Sequence, residues 1–264
     1  MKIPGEITFS VVVPFYNEEQ YILRCLESLV QQSLPPGQII AVDNGSTDKS
    51  AAIVHDFIEN TSIPSLLRYD PRPGKSNALE TGCKDIQHPY VLTADADIVY
   101  PPHFFQLCSQ IIGKNPGAAA VMGLYLEGNP ERKENQKQRQ KTFRMAQKFP
   151  TKCHTGGAGQ VFKASALLQA GGFSMRQWPY VLLDHEVIHR IHKLGPSVYH
   201  PDLYVIHTDR RKDRQRVRWN LWERLLYRYH PNFLGDWYFY KYLARRSKKN
   251  GKTQGRLREQ PWQT

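Results

Sequence analysis

Through the first hundred residues, short runs rich in β-branched side chains alternate with stretches whose apolar positions recur every three or four residues. Residues 10–14 (Ser-Val-Val-Val-Pro) read as a strand. In 19–31, Ile22, Leu23, Leu26, Leu29 and Val30 share one helical face, and Leu34-Pro35-Pro36-Gly37 stops that helix before a strand at 38–43. Ser46-Thr47-Asp48 opens a second helix, 49–59, with Ser or Thr available as its N-cap and with Asp48 read as a helix cap rather than a ligand. A third unit follows: a strand at 66–69, a loop at 71–75, a helix at 76–84, and a buried strand at 90–94 that runs into Asp95-Ala96-Asp97. The alternation predicts βαβ units and a mainly parallel, Rossmann-like sheet flanked by helices, an architecture whose ligands sit beyond the carboxyl ends of its strands. Residues 14–17, 43–45 and 95–97 then fall along one rim.

The second half is less regular. Residues 118–126 read as a strand, 131–148 as a polar helix or a mobile loop, and 155–173 as a Gly-rich turn leading into a helix. A helix at 181–194 ends at Gly195-Pro196, and 198–207 is a strand or extended run. From 217 to 229, Trp219, Trp222, Leu225, Leu226 and Tyr229 recur at helical spacing near Arg214, Arg216, Arg218 and Arg224. Aromatics crowd 233–243, and Arg245-Arg246-Ser247-Lys248-Lys249 follows. Such a basic amphipathic stretch packs on its own domain, forms a dimer contact or lies at an anionic membrane surface. Residues 250–264 are expected to be a disordered tail.

At 264 residues with 40% apolar side chains the chain supplies one ordinary α/β core. No apolar run approaches the ~18 residues a membrane-spanning helix needs. The four cysteines show neither a disulfide framework nor zinc-ligand spacing, so a cytoplasmic protein is expected, with a peripheral site at the inner face of the membrane as the alternative. A net charge of +12 suits an anionic partner, although charge alone does not choose among nucleic acid, a phosphorylated ligand and a membrane surface.

Asp95-Ala96-Asp97 carries the first chemical signal, because at a strand end two hard carboxylates can hold Mg²⁺ or Mn²⁺ against a pyrophosphate. In order and separation, Val11-Val12-Val13-Pro14-Phe15-Tyr16-Asn17-Glu18-Glu19, Asp43-Asn44-Gly45-Ser46-Thr47-Asp48 and Thr93-Ala94-Asp95-Ala96-Asp97 resemble the family 2 glycosyltransferases. The likeness continues through Gly156-Gly157-Ala158-Gly159 and Asp184-His185-Glu186-Val187-Ile188-His189-Arg190, covering about residues 8–210. The resemblance implies a GT-A fold: a single catalytic domain over 1–212, with a nucleotide-binding half at about 8–100 and an acceptor half at 101–212, followed by a helical basic and aromatic extension at 213–249. It implies transfer of a sugar from a nucleoside diphosphate, UDP first, to an acceptor hydroxyl with inversion. In this pattern Pro14, Phe15, Asn17, Glu18 and Asp43 line the nucleoside pocket, Lys75 and Asn77 approach the nucleotide, Asp95 meets ribose or metal, and Asp97 and His207 bind the metal. Arg210 and Arg211 are the diphosphate candidates.

Inverting transfer needs a carboxylate beside the acceptor hydroxyl, and Asp184 is the candidate base. The family pattern has an acid one residue earlier, where this chain has Leu183; Glu186 is assigned to structure or acceptor orientation. The Gly-rich run 156–159 would let backbone approach a sugar or diphosphate, and Trp178 would either stack on a sugar or belong to the core. Two other readings compete. A sugar nucleotidyltransferase needs a Gly-rich basic loop after the first strand, where this chain has Pro14-Phe15-Tyr16-Asn17. A basic RNA- or membrane-surface module would leave Asp95, Asp97, Asp184 and His207 without use, and nucleic acid ranks last among partners.

Overall fold

A computed structural model describes residues 7–207 and 221–254. Eight strands form one sheet in the order β3-β2-β1-β4-β7-β6-β8-β5. The N-terminal half comprises β1 (Phe9–Phe15), α1 (Ile22–Val30), β2 (Gln38–Asp43), α2 (Ser50–Asn60), β3 (Ser65–Tyr69), α3 (Lys75–Cys83) and β4 (Tyr90–Thr93). Its four strands are parallel, with Val12 opposite both Ile40 and Thr93. The carboxyl ends of β1, β2 and β4 therefore share one edge, as the alternation predicts.

Side chains alternate across these strands, which splits the core in two. Val11, Val13, Ile39 and Ala41 pack with Ile22, Leu26 and Leu29 of α1, whereas Val12, Ile40 and Val42 face Ala78, Leu79 and Cys83 of α3. Gly82 makes the second packing possible. A Cβ there would meet Val12 Cγ1 at 2.5 Å and Val42 Cγ2 at 2.9 Å.

The second half adds β5 (Ile98–Val99), α4 (Phe104–Lys114), β6 (Ala120–Glu127), α5 (Lys133–Lys148), β7 (Gln160–Lys163), α6 (Ala164–Gln169), α7 (Leu183–Ile191) and β8 (Ser197–His207). The polar stretch 131–148 is thus mostly helix. Between the Gly-rich turn and α6 lies a strand the sequence pattern does not show: β7 has only four residues, yet it joins the halves, antiparallel to both β4 and β6. The turn itself, Gly157–Gly159, sits backbone to backbone on β6, where a Cβ on Gly159 would come 3.0 Å from Gly123 Cα.

Beyond residues 208–220, α8 (Leu221–Tyr229) leads to α9 (Gly235–Trp237), a π-helical turn (Tyr238–Leu243) and α10 (Ala244–Lys249). Tyr238, Phe239 and Leu243 are buried in the same core cluster as Val187, Ile188 and Ile191 of α7. Of the three fates open to this stretch, packing against its own domain is realised by these residues. Trp178 belongs to that core as well: it is 1% exposed, donates from Nε1 to the Val181 carbonyl at 2.9 Å and packs edge-on to Phe239, so it is not a sugar platform.

The expectation of a disordered tail from Asn250 is corrected for 250–254. Val181 N–H donates to the Lys252 carbonyl at 3.2 Å, Thr253 bridges Tyr180, and the Gln254 amide binds Ser76 and the carbonyls of Trp178 and Tyr180. Backbone polar groups near the cavity need partners, and this segment supplies them. Residues 255–264 lie outside the described residues.

Candidate active site

The carboxyl edge of the parallel strands opens into a cavity of about 980 Å³, at the upper end of the range for small-molecule sites. Its strand-end wall includes Pro14 and Phe15 at the end of β1, Tyr16 and Glu18 after it, Asn44 after β2, and Asp95, Ala96 and Asp97 after β4. Lys75 starts α3 directly behind Gly74, whose φ of 122° suits glycine, and its ammonium is ion-paired with Asp95. Asp97 Oδ2 lies 3.3 Å from His207 Nε2, and both residues are 6% exposed. His207 reaches this point because β8 pairs with β5, setting His207 opposite Ile98, the residue after Asp97.

Three residues expected at the nucleotide are hydrogen-bonded within the loops around the cavity. Asn17, held at φ 52°, uses its amide to join the β1 and β2 loops: Thr47 N–H donates to its Oδ1 at 2.8 Å, and its own N–H donates to Ser46 Oγ at 3.1 Å. Asp43 accepts the Ser46 N–H at 2.8 Å, and the Asn77 amide donates to the Pro73 carbonyl at 3.0 Å. These polar groups shape loops, a use of Asn and Asp that the same local sequence permits. Asp48 accepts the N–H of Ser50 at 2.9 Å at the head of α2, the capping role expected of it. The brace the sequence reading passed over is Asn44, which donates to the carbonyls of Asp70 and Arg72 and accepts from the N–H of Gly74, fixing the loop that presents Lys75. Arg210 and Arg211 lie outside the described residues.

Asp184 enters the cavity from the first turn of α7. It faces the Gly-rich turn so closely that a Cβ on Gly157 would stand 3.4 Å from Asp184 Cβ and 3.7 Å from Lys75 Nζ. Small residues here let Asp184 and the strand-end groups share one space. Burial alone would raise the Asp184 pKa, but the imidazole of His185, 3.3 Å away, and the Lys75 ammonium outweigh it and hold the carboxyl below the usual carboxylate range. Glu186, two residues on, is wholly buried. Arg190 holds it through two bonds, Nε–Oε1 at 2.8 Å and Nη2–Oε2 at 2.9 Å, and the Tyr240 hydroxyl donates to Oε1 at 2.6 Å. Of the two roles open to it, structure is the one its position allows.

The family model described as "Glycosyl transferase family 2" matches residues 10–169, more than half of the chain. The chain belongs to glycosyltransferase family 2. Among curated relatives, the poly-beta-1,6-N-acetyl-D-glucosamine synthase of Staphylococcus epidermidis is 32% identical over 114 residues, covering 43% of this chain and 27% of that protein. Glycosyltransferase GlyG of Streptococcus pneumoniae is 29% identical over 116 residues, 44% of this chain and 38% of its own length. The chain spans less than two-fifths of the length of either. Among solved structures, residues 1–349 of S. aureus TarS in complex with UDP-GlcNAc align with a TM-score of 0.63 and 18% identity, over 93% of this chain and 75% of that one. The mannosyltransferase PcManGT of Pyrobaculum calidifontis, in complex with GDP-Man and Mn²⁺, aligns with a TM-score of 0.62 and 20% identity, over 85% and 64%. The fold of this family 2 member is accordingly GT-A.

For a metal ion, the donor set is small. Among the described residues no three His, Cys, Asp or Glu side chains converge on one point, and the Asp95 carboxylate is engaged by Lys75. Asp97 and His207 nevertheless offer an oxygen and a nitrogen donor side by side at the cavity wall. That pair fits a cation such as Mg²⁺ or Mn²⁺ that takes its remaining ligands from a diphosphate and water.

The family 2 cavity is also lined by groups that the sequence did not assign to the site: Tyr125, Lys152, His154, Arg224, Tyr227 and Arg228. Lys152 is 5% exposed, lies 3.1 Å from both His230 Nε2 and the His230 carbonyl, and sits 5.7 Å from the Tyr227 ring centre. Burial pushes its pKa down to about 8. A folded-state value below the unfolded ~10.4 means the protonated amine costs stability at neutral pH, and the cost disappears as pH rises from about 8 to above 10. Lys152→Met is therefore expected to raise the melting temperature by a few degrees at pH 7, from a gain of about 1–3 kcal/mol, with the advantage gone by pH ~10.5. Melting curves across pH 7–10.5 check this; an advantage that grows with pH would overturn it.

Proposed function

We propose that this chain transfers a sugar from a nucleoside diphosphate sugar, a UDP-sugar in the first instance, to an acceptor hydroxyl with inversion at the anomeric carbon. The observation that carries this reading is the meeting of Asp184 with Asp95, Asp97, Lys75 and His207 in one cavity, across a glycine turn that leaves room for the reacting groups. Pro14, Phe15, Tyr16 and Glu18 form the strand-end wall that would receive the nucleoside, and Lys75 would meet the negative charge of the nucleotide. Asp97 and His207 would hold a divalent cation, which supplies charge neutralisation at the departing diphosphate. As the acceptor oxygen attacks C1 and the bond from C1 to the diphosphate oxygen breaks, Asp184 takes the hydroxyl proton and the nucleoside diphosphate leaves with the bonding pair.

UDP-GlcNAc bound to TarS and GDP-Man bound to PcManGT support nucleotide-sugar chemistry on this fold, and they make UDP-GlcNAc, UDP-Glc and GDP-Man the donors to try. The test is release of nucleoside diphosphate rather than pyrophosphate. Pyrophosphate as product would instead indicate nucleotidyl transfer. For Asp97→Ala we expect Mn²⁺-dependent binding of the matching nucleotide, read by thermal shift or calorimetry, to weaken at least tenfold. Unchanged, metal-independent affinity would remove Asp97 and His207 from the metal role.

We further infer a peripheral site at an anionic membrane surface. No helix among the described residues is long and apolar enough to cross a bilayer, but Leu221, Trp222, Tyr229, Phe233 and Trp237 remain exposed along one segment. Exposed Lys241, Arg245, Lys248 and Lys249 follow them closely, the combination that favours an interface carrying acidic lipids. Trp222→Glu with Phe233→Glu is expected to cut cosedimentation with phosphatidylglycerol vesicles at least tenfold while leaving nucleotide binding intact; equal cosedimentation would end this reading.

A further inference from the structure

Several cations of the fold have an acid beside them. Arg68 pairs with Asp85, Arg72 with Asp70 and Glu80, Arg190 with Glu186, Lys193 with Asp236, Arg246 with Glu223, and Lys75 with Asp95. Three cations that line the cavity differ. Lys152, Arg224 and Arg228 have no carboxylate within ion-pair distance among the described residues, and all three belong to the wall made by α8 and the segment entering the Gly-rich turn.

Their grouping is close. Lys152 lies over the Tyr227 ring, and the Tyr227 hydroxyl accepts the N–H of Cys153 at 2.7 Å, so α8 is fastened to the residue that follows Lys152. His154, between them, is held below its ordinary pKa chiefly by burial, with His185, Arg228 and Lys152 adding to the depression. The neutral His154 ring thus leaves the wall's charge to the ammonium and the two guanidinium groups. Burying Lys152 with no carboxylate beside it among the described residues costs stability, and an anion on this wall would relieve that cost.

We propose that this wall is the acceptor subsite and that it binds a phosphoryl group on the acceptor, seated on Lys152, Arg224 and Arg228. The assignment rests on the transferase reading above, in which the strand-end rim takes the donor. A phosphoryl group matches the wall better than a carboxylate does. Two guanidinium forks and an ammonium offer more donors and more charge than one carboxylate can use, whereas phosphate presents several oxygens and up to two negative charges. The phosphate-bearing acceptor would be either a free sugar or polyol phosphate or a lipid-borne one.

The full chain, saturated with UDP and Mn²⁺, is titrated by calorimetry with glycerol 1-phosphate, with glycerol and with glucuronate, and by cosedimentation with vesicles of phosphatidylcholine with and without phosphatidic acid. Three variants are compared: Arg224→Gln with Arg228→Gln, Lys152→Met, and Lys84→Gln with Lys114→Gln, two exposed lysines away from the cavity and from the basic C-terminal segment, as a charge-matched control. Glycerol 1-phosphate is expected to bind at least tenfold more tightly than glycerol or glucuronate, the double arginine variant to lose tenfold or more, and Lys152→Met to lose several-fold while melting higher than the native chain. Because loss of binding accompanies a gain in stability, misfolding does not imitate the result. Binding of the soluble phosphate identifies a free acceptor, and phosphatidic acid binding alone, with the same variant losses, a lipid-borne one. Affinity equal to that for glucuronate, equal losses in the control, or a tenfold loss of UDP affinity in the arginine variants would each overturn the proposal, the last by moving the arginines to the donor. Absence of any nucleotide binding would instead sink the transferase reading, and the same titration on the nucleotide-free chain still reads the phosphate site.

Discussion

Asp184→Asn is expected to lower kcat by roughly 10²–10⁴-fold while leaving nucleotide affinity within twofold. The amide keeps the shape of the carboxylate and its place in the first turn of α7, but it has no lone pair basic enough to take the acceptor proton. Nothing on the strand-end rim changes, so UDP titration of the variant serves as the internal control. The pH profile adds a second readout. His185 and Lys75 overcome the effect of burial and hold Asp184 below the ordinary carboxylate range, so the base stays ionised through neutral pH. Its acid limb should consequently lie below the ~3.9 of an unperturbed aspartate, and loss of activity between pH 7 and 5 must come from other groups. A variant retaining more than a tenth of native kcat would remove Asp184 from the base role. The nucleotide-binding reading would stand.

Two residues away, Glu186→Ala should act on the fold instead. The side chain has no exposure, and its removal strands the Arg190 guanidinium, 7% exposed, and withdraws the acceptor of the Tyr240 hydroxyl. Breaking one side of a buried ion pair typically costs about 3–5 kcal/mol, which for a chain of this size lowers the melting temperature by about ten degrees. Tyr240 belongs to the C-terminal π-helical turn, so the same change loosens the segment's attachment to α7. Proteolysis should then cut between residues 221 and 249 sooner than in the native chain. At a temperature where the variant is folded, nucleotide binding should match the native value. A shift of less than two degrees would mean that the pair contributes little and that Glu186 needs another explanation.

Adjacent acids in one helical turn thus carry different work, and the sequence alone treats them alike. Both sit where a helix N-terminus favours negative charge, and both match the family pattern. Only the packing of Arg190 and Tyr240 around one, and of Gly157 and Lys75 around the other, separates them.

The alternation of apolar positions determined the parallel half, because strand and helix periods are local properties of the chain and each predicts which face is buried. From that followed the shared edge of β1, β2 and β4 and the placement of Asp95 and Asp97 on it. Local pattern could not reach further. Strand β7 is four residues long and reads as the end of a turn, yet its pairing with β4 and β6 closes the sheet. Which groups Asn17, Asp43 and Asn77 bond in the folded chain, the Thr47 and Ser46 amides and the Pro73 carbonyl, depends on the fold and not on residue type. Gln254 reaches Ser76 across 178 residues, and Lys152 acquires its environment from His230 and Tyr227 of the C-terminal segment. Burial and ion pairing are relations between distant parts of the chain, and so a cavity wall with no counter-charge among the described residues became visible only when the chain was folded.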